Sequence, residues 1–135
     1  MTSGPSLQRL TKRAQFLFVR AGFRASKPGV LVEARRREPT GAIGVGFTAS
    51  KKVGGAVVRN RAKRRLREAA RRLLPEHGLP GCDYVLVARQ QTPSAAWPAL
   101  LDDLGNALIR LRADLEAPGG PAKRAKAPAK STESD

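Results

Sequence analysis

The sequence predicts an α+β fold, a two-layer sandwich of a sheet covered by helices. Three observations predict it. Two short runs, "AIGVGFTAS" (42–50) and "CDYVLVARQ" (82–90), have the composition and length of strands. Between them, Val58, Ala62, Leu66, Ala69 and Leu73 recur at helical spacing. After them, Trp97, Leu101, Leu104, Leu108, Leu111 and Leu115 form a second apolar stripe. A strand, a helix, a strand and a helix in that order fit neither a bundle nor an all-β barrel.

Residues 1–6 read as a polar arm. A helix is expected from Leu7 to Ala21, with Leu7, Leu10, Ala14, Leu17 and Ala21 as its buried stripe and Gly22 ending it. On that helix Phe18 lies near the stripe. Phe16 lies opposite it, among Arg9, Lys12, Arg13 and Arg20. Its ring either packs on a strand edge or stacks on an unpaired base. "GFRASKPG" is a turn or short edge strand, because Pro28 restricts its neighbours. "VLVEARRR" (30–37) reads as a strand and "EPTG" as a turn.

In 42–50, Ile43, Val45, Phe47 and Ala49 share one face, and Gly44, Gly46 and Thr48 the other. Two glycines on one strand face imply close approach, either by the protein itself or by a ligand. "KKVGG" makes a loop, and the helix after it runs from Ala56 to Leu74, where Pro75 stops it. The strand 82–90 and a helix opened by "TPSAAW" and reaching Leu115 complete the domain. From Pro118 the chain is too poor in apolar residues to fold. The organisation is an arm (1–6), a domain (7–117) and a basic low-complexity tail (118–135).

Lys and Arg number 26 against 11 Asp and Glu in 135 residues, a formal net charge of +15. Such a balance selects polyanionic partners. No apolar run reaches the ~18 residues of a membrane span, and no signal-peptide core opens the chain. The expected setting is therefore cytoplasmic, without a membrane partner. Cys82 and His77 are the only residues of their kinds. They cannot close a zinc site, and the acids are scattered without metal-ligand spacing. No catalytic residue and no metal site is expected in the protein itself.

The stretch 51–74 concentrates the charge. Opposite the apolar arc of its helix stand Asn60, Arg64, Arg67 and Arg71, flanked by Arg61, Arg65 and Arg72 on one side and Arg59 and Lys63 on the other. Glu68 is its one acid, four residues from Arg64 and from Arg72. Like charges at this density are destabilising unless something neutralises them. Either the face is merely solvated or it grips a polyanion. Arginine dominates, and its planar fork matches phosphate oxygens. Lys51 and Lys52 precede the helix beside Gly54 and Gly55, without the residue order of a nucleotide-phosphate loop. Strands flank the helix on both sides, which argues against a helix-turn-helix and so against DNA.

The string "SKKVGGAVVRNRAKRRLRE" (50–68) resembles the signature of the bacterial ribonuclease P protein component. That family carries K-K-x-G-x-A-V-x-R-N-R-x-K-R, and each motif position is filled, from Lys51 and Lys52 through Arg59, Asn60 and Arg61 to Lys63 and Arg64. The resemblance extends over about residues 7–115. It implies a mixed four-stranded sheet with three helices and a left-handed β-α-β crossover, against the usual right hand. It also implies a protein that assists a catalytic RNA, with its Mg²⁺, in cutting the 5′ leader from precursor tRNA. By motif, Lys51, Lys52, Arg59, Asn60, Arg61, Lys63, Arg64, Arg65 and Arg67 face the catalytic RNA, with Arg71 on the same helix face. Phe16, with Arg9, Lys12, Arg13, Arg20, Gly44, Gly46 and Thr48, would line the leader cleft. One departure is Glu33, at a sheet position where some members carry an aromatic; a carboxylate there would repel a leader phosphate. The competing reading is an RNA-binding protein, stand-alone or ribosome-associated, that lacks a catalytic partner.

Overall fold

The computed structural model describes residues 6–117. The expected tail 118–135 lies outside these residues, as does the arm except for Ser6. In chain order the elements are β1 (Leu7–Arg9), α1 (Arg13–Arg20), β2 (Phe23–Ser26), β3 (Val30–Arg36), β4 (Ile43–Thr48), a 3₁₀ turn (Lys51–Val53), α2 (Ala56–His77), β5 (Cys82–Ala88) and α3 (Trp97–Glu116). The strands form one mixed sheet in the order β1-β4-β5-β3-β2. β4 is parallel to both β1 and β5, whereas β3 is antiparallel to β5 and β2.

The α+β fold is the expected one, with five strands in place of four. The extra strand corrects the expected helix from Leu7. Ile43 N–H donates to the Ser6 carbonyl and Leu10 N–H to that of Val45, both at 2.9 Å. These bonds satisfy the outer edge of β4, and a three-residue strand leaves no periodicity to read. α1 then starts at Arg13. The Gln15 side-chain oxygen accepts from the N–H groups of Thr11 and Lys12 at 2.9 Å each, satisfying donors that the helix cannot.

Losing its first turns changes the phase of α1. Val19 is buried, and Phe16 and Phe18 pack with Leu10, Val85 and Val87. Leu17 is 48% exposed, and Ala14 and Ala21 are exposed too. Leu7 and Leu10 of the predicted stripe do pack inward, but as part of β1 and the turn after it. The stripe's residues from Ala14 to Ala21 are not the buried ones.

The main core lies between the sheet and the pair α2–α3. Val30, Val32 and Ala34 of β3, Ile43 and Val45 of β4, and Tyr84 and Leu86 of β5 meet Ala62, Leu66 and Leu74 of α2 and Leu104 and Leu108 of α3. α1 covers part of the opposite face. α2 runs three residues past its expected end, with Pro75 in the last turn. A proline there removes only the bond to the Arg71 carbonyl, on an exposed residue. Gly78 N–H closes the helix on the Leu74 carbonyl at 2.7 Å.

The hand of the crossover follows from these bonds. In a strand of L-residues running upward, a residue facing the viewer sends its N–H and C=O to the viewer's right. Ile43 and Val45 face α2 and bond β1, so with α2 in front β1 is on the right and β5 on the left. From β4 the chain passes down the front through α2 and returns to its left. That is a left-handed crossover, the rare hand for this unit.

Candidate nucleic-acid interface

α2 is held by one face and charged on the other. Ala62, Leu66, Ala69, Ala70 and Leu74 are buried, whereas Asn60, Arg61, Arg64, Arg71 and Arg72 are exposed. Glu68 pairs with Arg71 and Arg72, each at 3.2 Å, rather than with Arg64. Among the described residues no salt bridge reaches Arg59, Arg61, Lys63 or Arg64. Four cations thus share the first half of the helix without an acid to balance them.

Arg65 belongs elsewhere. Its guanidinium donates to the carbonyls of Thr92 (2.7 Å), Pro93 (3.0 Å) and Ala95 (2.7 Å) and lies 5.7 Å from the Trp97 ring centre. With its terminal nitrogens committed to the loop before α3, it anchors that loop and has little left for phosphate. Arg67 lies 5.6 Å from the Phe47 ring centre, and its Nε is buried without a hydrogen-bond partner.

The turn between β4 and α2 sets Lys51 and Lys52 at the carboxyl ends of the parallel strands. Gly54 makes this possible: its φ is +149°, and an added Cβ would come within 2.9 Å of Val58. Beside Lys52 lie Arg89 and Gln90, which the sequence reading missed. Together with Ser50 and Pro28 they line a hollow of about 310 Å³. Gln90 donates to the Lys52 carbonyl at 3.4 Å, and Arg89 to the Ser26 hydroxyl. Their signal was the polar run "RQQT" directly after a strand, which only the fold brings to Lys52.

On the α1 face the expected leader group separates. Arg13 and Arg20 of α1 and Lys12 just before it are exposed, and Phe16, midway along α1, is half-buried. Gly44 and Gly46 are buried. A Cβ on Gly46 would lie 2.7 Å from the Phe16 ring, and one on Gly44 2.8 Å from Leu10 and closer still to Asp83. The protein's own side chains fill that space, so the glycines serve packing rather than a ligand. Thr48 stays partly open farther along β4, in a row with Val87 and Leu31. Arg9 is on the other side of the sheet: Leu7, two residues before it on β1, packs into the α2–α3 core. There Arg9 joins Arg67 and Arg71.

Glu33 is 8% exposed, with Arg24 on the neighbouring strand 3.9 Å away. Its carboxylate is set into the sheet beside a cation, and presents little surface to a passing phosphate. Asp83 is likewise buried and bonded to Arg37, which also holds Glu38 at 2.7 Å. Burial pushes the Asp83 carboxyl up, and Arg37 opposes the shift. Among the described residues, no group of three His, Cys, Asp or Glu side chains could hold a metal ion. None of the described helices is long and apolar enough to cross a membrane.

Residues 5–112 match the family model Ribonuclease P. The ribonuclease P protein component of Caulobacter vibrioides is 51% identical over 115 residues, covering 83% of this chain and 76% of its own. That of Ruegeria pomeroyi is 53% identical over 107 residues, covering 77% and 86%. Among solved structures, the RNase P protein from Thermotoga maritima is 26% identical, with a TM-score of 0.64 over 76% of this chain and 96% of that one. A Staphylococcus aureus RNase P protein mutant gives 25% and 0.66 over 77% and 87%.

Proposed function

The chain belongs to the ribonuclease P protein family, and on that premise we propose that it is the protein subunit that binds the catalytic RNA and the 5′ leader of precursor tRNA. The observation that carries this reading is the outward face of α2. Among the described residues no acid salt-bridges Arg59, Arg61, Lys63 or Arg64, on a helix whose other face is locked into the core. Phosphates of a folded RNA would relieve their mutual repulsion.

α1 and the open part of the sheet lie on the opposite face. Lys12, Arg13 and Arg20 would follow the leader backbone, and the half-buried Phe16 would offer one ring face to a base. Lys51, Lys52 and Arg89, at the end of the sheet, would screen the two RNAs from each other where they meet. Mg²⁺ would supply activated water and charge neutralisation for phosphodiester cleavage. Among the described residues, Asp83 and Glu68 are engaged with arginines and no three acidic side chains gather where they could hold such an ion. The metal is therefore assigned to the RNA, and the protein contributes affinity and screening in the cytoplasm.

The test is reconstitution of the full chain with the ribonuclease P RNA of the same organism at low Mg²⁺. The chain alone should leave precursor tRNA intact, and adding it to the RNA should restore accurate leader removal. Cleavage by the RNA-free chain, or no gain over the RNA alone, would sink the proposal.

A further inference from the structure

A second groove lies on the α2 side of the sheet, between β1 and the middle of α2, apart from the α1 face. Leu7, Val45, Phe47 and Ala70 floor it, and Arg9, Arg67 and Arg71 stand around it. Its volume is about 180 Å³, below the ~300 Å³ where sites for drug-sized ligands begin. It can take one planar ring and not a longer segment.

Three features describe its occupant. The floor is apolar and contains an aromatic ring, which suits the face of a base. The rim is cationic: Glu68 meets Arg71, but no acid salt-bridges Arg9 or Arg67 among the described residues. The third feature is polar groups without partners among the described residues. Arg67 Nε is buried and makes no hydrogen bond. β1 is also an edge strand. Because Ser6 and Leu10 bond β4, the alternation of the strand turns the backbone N–H and C=O of Leu7 and Arg9 to the free edge. An apolar floor, edge-strand hydrogen-bonding groups and flanking arginines match a nucleotide's base, base edge and phosphates respectively.

We propose that this groove receives one unpaired nucleotide of the catalytic RNA, fixing the register in which α2 lies on that RNA. The inference rests on the reading that α2 docks on the RNA, and adds a base-specific anchor beyond its phosphate contacts. It also gives Arg9 a role on the catalytic-RNA side instead of in the leader cleft.

Cys82 is fully buried, so an Arg71→Cys variant of the full chain would carry one reactive thiol, on the α2 rim of the groove. Coupled to a short photo-crosslinker and assembled with the ribonuclease P RNA of the same organism, it should crosslink to a single unpaired position. Phe47→Leu, which keeps the floor apolar but removes the ring, should weaken assembly by roughly fivefold to a hundredfold. That loss should be equal with leader-bearing and leaderless substrates. Crosslinks only within paired stems, or none, would overturn the proposal, as would Phe47→Leu assembling like the parent. Arg61→Ala separates the two levels. If it weakens assembly while Phe47→Leu does not, the groove is wrong and the docking of α2 stands. If neither does, the docking reading falls as well.

Discussion

Single residues divide here by whether the fold has already used them. Tyr84 is the chain's one tyrosine and is fully buried, and its hydroxyl accepts the Leu79 N–H at 3.0 Å. Burial pushes its pKa up from 10.0 to about 12. The folded-state value lies above the unfolded one, so this stability is whole below pH 10 and lost as pH rises toward 12. Tyrosinate absorbance should therefore appear together with unfolding, and Tyr84→Phe should unfold less steeply across that window. Absorbance that titrates near pH 10 in the folded chain would contradict the burial. Phe16 is used in part. Its ring covers Gly46, so Phe16→Ala should lower the melting temperature as well as leader affinity. Phe16→Leu retains cover without an aromatic face. It should lose ~1–3 kcal/mol toward leader-bearing RNA and nothing toward mature tRNA; equal losses on both would assign the ring to packing alone. Gly46→Ala should drive the ring off the sheet and reproduce the Phe16→Ala melting shift.

At the scale of elements, α2 shows why arginines in one run do different work. Arg65→Ala removes three bonds to the loop carbonyls of Thr92, Pro93 and Ala95. It should cost about 1.5–3 kcal/mol of stability, the worth of a charged hydrogen bond or two. Arg61→Ala, on the exposed face, should leave thermal unfolding within about 0.5 kcal/mol of the parent. Denaturant melts of the two variants check this, and equal stability would mean that Arg65 does not hold the loop. In the sequence both are arginines of one basic run, and only the arrival of the 92–95 loop separates them. β4, α2, β5 and α3 were legible because their apolar spacing is local and long enough to have a period. β1 was not, since Leu7–Arg9 is a strand only by virtue of bonds to β4, more than thirty residues away. That omission displaced the phase of α1, exposing Leu17 and turning Phe16 inward. The glycines on β4 were legible as a close approach, but the approaching groups proved to be Phe16, Leu10 and Asp83.

Across the whole molecule, the described residues set their excess of positive charge on two faces of one sheet. α2 presents an unbalanced cationic surface on one side, and α1 a smaller one on the other. The left-handed crossover puts the start of α2 at the carboxyl ends of β4 and β5, where Lys52 meets Arg89. The central claim, that the outward face of α2 is an RNA surface, is tested most directly by affinity for the ribonuclease P RNA as a function of salt. The full-length parent should be compared with Arg59→Ala, Arg61→Ala and Arg64→Ala. Each substitution should weaken binding and reduce the slope of log affinity against log salt by about one, with Arg61→Ala and Arg64→Ala melting like the parent. Affinity and slope unchanged in all three would contradict it and return the face to solvent.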